Sequence, residues 1–149
     1  MAKLEYVKCD LFKYIKTINK PTIIAHVCNN RGKWGAGFVI PLEKNYPKAK
    51  EKYIKYHYCY RLGETQLVQV EKDIAVANMI AQTLGGKRPL YYNHLSSCMD
   101  RVAEIISADE IIICPKFGSG LAGGNWNFIE ELIQDCWIRR DIEVKVCYL

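Results

Sequence analysis

The chain has 149 residues, 50% of them hydrophobic, a net charge of +5 and an isoelectric point near 8.8. That is one ordinary domain, able to bury roughly two-thirds of its unfolded surface. No apolar run approaches the ~20 residues that cross a bilayer, and the opening MAKLEYVKCDLF lacks the apolar core of a signal peptide. A soluble, cytoplasmic protein with no membrane partner is therefore expected.

In chain order, LEYVKCD (4–10) alternates enough to be a strand. PTIIAHVC (21–28) is apolar, β-branched and bounded by Pro21, which predicts a buried strand. NNRGKWGAG then breaks regularity. From Phe38 to Tyr58 the pattern is helical, with Pro47 at the first turn of a second helix. TQLVQVEKDIAVANMIAQ predicts two strands, 65–71 and 73–80, around a tight turn at Lys72–Asp73. TLGGKRP is a loop. Residues 90–108 carry Leu95, Met99, Val102, Ile105 and Ile106 at helical spacing. DEIIICPKF (109–117) predicts another buried strand. Asn125 is placed to cap a helix reaching about Arg139, with Phe128, Leu132 and Cys136 or Trp137 on its inner face. DIEVKVCYL closes the chain as a strand. Strands alternating with helices around one hairpin predict a single α/β domain over residues 1–149, a three-layer α/β/α sandwich with a mixed sheet of about six strands.

The seven cysteines are widely spaced, with no C-x-x-C pair, which speaks against zinc and dithiol chemistry. Cys114 and Cys147 sit in apolar runs and are expected in the core. Cys28, with no evident histidine partner in the sequence, is expected to be structural. No acidic cluster suggests a metal, and no cofactor is expected. The positive charge mildly favours anionic ligands. The lysines from Lys44 to Lys55 raise nucleic-acid binding as one possibility, with a solvated helix face as the plainer explanation.

Two glycine-rich stretches each leave a buried strand and enter a helix. PKFGSGLAGGNW (115–126) holds Gly118, Gly120, Gly123 and Gly124, a density beyond what a tight turn requires. Glycine lets backbone N–H groups converge on phosphate oxygens, and the following helix adds the positive end of its dipole. The G-x-G-x-x-G at 118–123 is not a dinucleotide fingerprint, because that motif belongs to a first β–α turn and the next acidic residue, Asp141, begins rather than ends its strand. AHVCNNRGKWGAGF (25–38) adds Gly32, Gly35 and Gly37, two amides, two cations and Trp34. Two such loops at the carboxyl ends of strands suit a ligand with two phosphates.

VKCDLF, AHVCNNRGKWGAGF, VANMIAQ and PKFGSGLAGGNW, in this order over nearly the whole chain, resemble the macro domain family of ADP-ribose-binding proteins. The nearest resemblance is to its small stand-alone branch, which includes the yeast-type ADP-ribose-1″-phosphate phosphatase and the terminal ADP-ribose protein glycohydrolase. The resemblance implies that Asp10 accepts from the adenine amino group, with the backbone of Leu11 and Phe12 beside the base. It implies that Gly118, Ser119, Gly120, Leu121, Ala122 and Gly123 cradle the diphosphate, and that Asn29, Asn30, Gly35, Ala36 and Gly37 line the distal ribose. Lys33 and Arg31 are candidates for a terminal phosphate, and Trp34 for closing over the distal ribose; Trp126 is expected to pack.

The glycohydrolase mechanism implied by that branch uses a lysine and an aspartate where this chain has Gln82 and Ala122. Gln82 cannot form a Schiff base and Ala122 cannot move a proton, though Gln82 remains a ligand-contact candidate. His26 stands where the yeast-type phosphatase keeps a histidine and is the candidate catalytic residue, as acid, base or nucleophile. His57 and His94 are expected at the surface. The resemblance thus implies a protein that binds ADP-ribose or ADP-ribose 1″-phosphate and hydrolyses the latter; a monomer is expected. The alternatives are a non-catalytic ADP-ribose reader and a hydrolase removing ADP-ribose from ADP-ribosylated macromolecules.

Overall fold

The computed structural model describes residues 1–149. Its strands are β1 (Leu4–Lys8), β2 (Thr22–Asn29), β3 (Thr65–Glu71), β4 (Ile74–Gln82), β5 (Ile111–Cys114) and β6 (Val144–Tyr148). Its helices are α1 (Leu11–Ile15), α2 (Val39–Asn45), α3 (Pro47–Tyr56), α4 (Tyr92–Ile105) and α5 (Trp126–Cys136). The six strands form one sheet in the order β1-β6-β5-β2-β4-β3. Every pairing is parallel except β3 with β4, so the sheet is mixed. This is the three-layer arrangement expected from the alternation of strands and helices.

The alternation of side chains across the pleat explains the layers. Ile23 and Ala25 of β2 face a core built with Leu95, Met99 and Val102 of α4 and Ile129 and Ile133 of α5. Ile24 and Cys28 face the opposite core, with Leu11, Phe12 and Ile15 of α1, Leu42 of α2, and Ala49 and Tyr53 of α3. Both faces of β2, β4 and β5 are covered, which is why these strands are apolar runs rather than alternating ones. Cys114 and Cys147 are buried, as expected.

Two local differences from the sequence expectations have simple causes. The first strand stops at Lys8, because the Asp10 carboxylate accepts from the N–H groups of Phe12 (3.0 Å) and Lys13 (3.1 Å) and starts α1. Asn125 does cap α5, accepting from Phe128 N–H at 3.3 Å, but the buried face is Ile129, Ile133 and Cys136. Phe128 lies outside that face, 42% exposed, with its ring edge-on to Tyr92 at 4.6 Å. Pro47 opens α3, as expected, separating it from α2 at Tyr46.

Candidate functional site

Because β1, β6, β5, β2 and β4 run parallel, their carboxyl ends share one edge of the sheet, the edge where open α/β sheets bind ligands. The segments leaving β2, β4 and β5 surround a cavity of about 570 Å³ there. That is in the range of small-molecule sites. The first wall is His26 to Asn29, Lys33 and Gly35 to Val39; the second is Gln82 to Gly85 and Pro89; the third is Pro115 to Gly118 with Gly120, Leu121 and Ala122.

The third wall is built for an anion. The five backbone N–H groups from Gly118 to Ala122 have no acceptor in the protein. The loop is instead held by its ends: Gly124 N–H donates to Gly118 O (2.8 Å), Gly123 N–H to Gly120 O (3.0 Å), and the Ser119 hydroxyl to Lys116 O (2.7 Å). The first wall repeats the arrangement, with N–H groups from Trp34 to Phe38 free of protein acceptors. Free donors on closely spaced residues that turn together form a concavity for oxyanions. The two loops meet where Leu121, 77% exposed, extends toward Gly37, whose added Cβ would lie 3.8 Å from Leu121 Cδ1.

Asn29 lines the cavity, yet its side chain is fully engaged in folding the first loop. Its oxygen accepts from Arg31 N–H (2.9 Å) and Lys33 N–H (3.1 Å), and its amide donates to Lys33 O (2.7 Å). The Tyr53 hydroxyl, fully buried on α3, reaches Asn29 O at 2.6 Å and Asn29 Oδ1 at 2.9 Å. Tyr53→Phe should therefore lower the urea midpoint with an unchanged slope, a loss of about 1–2 kcal/mol. An unchanged midpoint would mean that the loop holds itself without that hydroxyl.

His26 is on the cavity wall but only 2% exposed. Asn78 of β4 donates its amide to Gln66 Oε1 (3.1 Å) and Ala49 O (3.3 Å), so its own oxygen must accept from His26 Nε2–H, 2.5 Å away. Gln66 in turn donates to Lys52 O at 3.0 Å. The imidazole is thus locked in the Nε2–H tautomer, and Nδ1 is the nitrogen left to meet a ligand. Burial lowers its pKa to about 4, against a smaller upward pull from Asn78. At neutral pH His26 is uncharged, which removes the general-acid role and leaves those of base and acceptor. Cys28 does have a histidine partner, with Sγ 3.7 Å from His26 Nε2. Burial nevertheless pushes its thiol well above the ordinary value, so it stays protonated and inert.

The structure places other sequence candidates as follows. Lys33, Gly35, Ala36, Gly37, Gln82, Gly118, Gly120, Leu121 and Ala122 all line the cavity. Ser119 and Gly123 belong to the same loop but do not line it. Asn30 lies behind the wall, its N–H on Gln82 O (3.0 Å) and its side-chain oxygen buried without a partner. Trp34 is 8% exposed and is not on the wall; it packs edge-on against His26 (5.6 Å) and beside Tyr53 (5.5 Å). Asp10, Leu11 and Phe12 also lie outside the cavity; Phe12 stacks at 5.6 Å on Phe38, which lines it. Arg31 is exposed and off the wall. His57 and His94 are both half-buried rather than on the surface. Trp126 packs edge-on against Phe117 at 5.8 Å, as expected.

Sequence reasoning missed the second wall, Thr83 to Gly85 with Pro89, and also Lys116. Lys116 immediately precedes the glycine loop, the same signal that singled out Lys33. Its ammonium lies 5.9 Å from the Tyr6 ring and 5.6 Å from the Tyr148 ring, on β1 and β6. Only the fold brings those rings together.

Together, a mixed sheet and two glycine loops presenting free N–H groups at one strand edge define an α/β domain that takes an anionic ligand. No family model matches the chain. It is 35% identical to an ADP-ribose 1″-phosphate phosphatase of Meyerozyma guilliermondii, over 90% of this chain and 94% of the relative. A protein of the same name from Candida albicans is 26% identical over 89% of this chain and 92% of its own. Among solved structures, a macrodomain protein from Streptomyces coelicolor superposes with a TM-score of 0.85, at 35% identity over 99% of both chains. The chain belongs to the macro domain family.

Proposed function

We propose that this protein binds ADP-ribose in the cavity and hydrolyses ADP-ribose 1″-phosphate to ADP-ribose and inorganic phosphate. The observation that carries the reading is the pair of loops with free N–H groups, from Trp34 to Phe38 and from Gly118 to Ala122, facing one cavity. It is supported by relatives named for that phosphatase activity that match about nine-tenths of the chain. In this reading the Gly118–Ala122 loop holds the diphosphate, and the Gly35–Gly37 segment holds the distal ribose. Asp10 uses one carboxylate oxygen to cap α1 and has the other for the adenine amino group, with Leu11 and Phe12 beside the base.

Phosphoryl transfer to water needs charge stabilisation and positioning more than covalent help from the protein. Lys33 lines the cavity and supplies positive charge toward the terminal phosphate. The bond formed joins water oxygen to phosphorus, and the bond broken joins phosphorus to the ribose 1″ oxygen. His26 accepts the water proton at Nδ1, and the departing oxygen leaves with a proton from solvent. His26→Ala should cut turnover by about a hundredfold or more while changing ADP-ribose affinity less than about threefold. Calorimetry with ADP-ribose and phosphate release from ADP-ribose 1″-phosphate test this in one buffer. Equal loss of both would assign His26 to binding.

A second reading, a non-catalytic ADP-ribose reader, is favoured by one observation: no carboxylate lines the cavity, and its histidine is uncharged at neutral pH. Tight binding of ADP-ribose with no phosphate release would establish it. We also propose a soluble, cytoplasmic monomer; no helix is long and apolar enough to cross a membrane.

A further inference from the structure

We infer that single-stranded nucleic acid binds across α3 and the turn after it, beside the mouth of the cavity. Residues 43–61 carry Lys44, Lys48, Lys50, Lys52, Lys55 and Arg61 against Glu43 and Glu51, a net +4 of the chain's +5. Ala49 and Tyr53 turn inward, and Lys48, Lys52 and Lys55 follow one another at i, i+4 and i+7 on the outer side. Lys50 is paired with Glu43 at 3.3 Å; Lys44, Lys48, Lys52, Lys55 and Arg61 make no ion pair. Glu51 is the one carboxylate on the helix.

Charge alone would suit any polyanion, but this surface is also aromatic. Tyr58 is 76% exposed, a large ring left open to solvent. Half-buried Tyr56 has the ammonium groups of Lys52 and Lys55 at 5.7 and 5.4 Å from its ring, and Tyr60 is also half-buried. Cations for phosphates interleaved with rings for bases make a platform for single strands, whose bases are free to stack. The exposed Tyr58 ring, three residues after Lys55, adds a stacking face that lysines alone do not supply.

The patch is continuous with the cavity rim. Gly32 has φ +72°, and a Cβ there would fall 2.6 Å from His57 Nε2, so the His57 ring packs directly on the first loop. His57 and Tyr58 are adjacent at the end of the patch, with their rings 6.0 Å apart, while exposed Arg31 and Lys33 flank Gly32. A strand lying along α3 therefore runs on to the mouth of the cavity.

The test is fluorescence anisotropy of a labelled single strand of about 12 nucleotides, DNA and RNA, over a salt series. We expect saturable binding to the single strand in preference to a duplex of the same length. Replacing Lys48, Lys52 and Lys55 together by glutamine should weaken it at least about tenfold and reduce the salt slope by about 2. Tyr58→Ala, which removes no charge, should weaken it about tenfold with the slope unchanged. Circular dichroism and ADP-ribose affinity, which do not involve these side chains, report that the variants are folded and that the cavity is intact. Absence of single-strand binding by the parent protein overturns the inference. So does equal competition by polyglutamate with no effect of Tyr58→Ala, the result expected of a surface for acidic proteins.

Discussion

Replacing Gly123 by valine is expected to weaken ADP-ribose binding by about a hundredfold or more and to destabilise the fold, whereas Gly120→Ala leaves stability nearly unchanged. The two glycines are equivalent letters in G-x-G-x-x-G and unlike positions in space. Gly123 has φ +75°, and a Cβ there would lie 2.6 Å from Lys87 O and 3.2 Å from Arg88 Cα. Backbone on backbone cannot move aside as a side-chain tip can. The residues it would displace lead into Leu90, whose N–H is held by Ala122 O at 3.3 Å, so the second and third walls of the cavity would separate together. Misplacing convergent donors by about 1 Å is worth about a hundredfold, and the left-handed backbone adds about 1–2 kcal/mol of strain for a residue with a Cβ. At Gly120 the backbone φ is ordinary and an added Cβ meets no heavy atom within 4 Å. Urea melts of both variants, with calorimetry on Gly123→Val, check the pair. Normal ADP-ribose affinity in folded Gly123→Val would remove the loop from the binding site.

This contrast also marks what the sequence could reveal. Periodicity and glycine density located both loops, both buried faces of β2 and the break at Pro47, because each rests on local geometry that a short stretch dictates. The eleven candidates found on the cavity wall all come from those two stretches or from the end of β4. What remained hidden depended on non-local partners. Asp10 carries no local sign that it caps α1 as well as being free to meet a ligand. Trp34, between glycines, reads as a lid, but the fold turns it inward against His26 and Tyr53, where its ring buries more apolar surface than it could at the rim. Phe128 and Ile129 are neighbours with the same helical periodicity to within one residue, so the choice of inner face falls to the sheet below. The polar chain from His26 through Asn78 to Gln66 joins three strands. Its members read as two separate strand residues and a histidine until the register pairs His26 with Asn78 and Asn78 with Gln66.

That polar chain should make the protein acid-labile in a definable way. His26 has a folded pKa of about 4, below the ordinary 6.5, because burial opposes its charged form. The unfolded chain therefore binds the proton first as pH falls. Stability from this residue is complete above about pH 6.5, declines as acid is added and is gone below about pH 4. The total is about 3 kcal/mol. The side chains around the ring, Cys28, Trp34, Phe38 and Asn78, include no carboxylate to soften the cost of protonation. Asn78 helps only in part: its oxygen accepts from Nε2–H and favours the protonated ring, but burial outweighs that pull. Urea melts of the parent protein and of His26→Gln at pH 7, 5.5 and 4.5 separate this effect from the general titration of carboxylates. The parent should lose about 2–3 kcal/mol more than the variant between the first and last of these. Parallel decline of the two proteins would mean that His26 titrates at its ordinary value, and with that the uncharged, tautomer-locked imidazole assigned to the cavity wall would have to be given up.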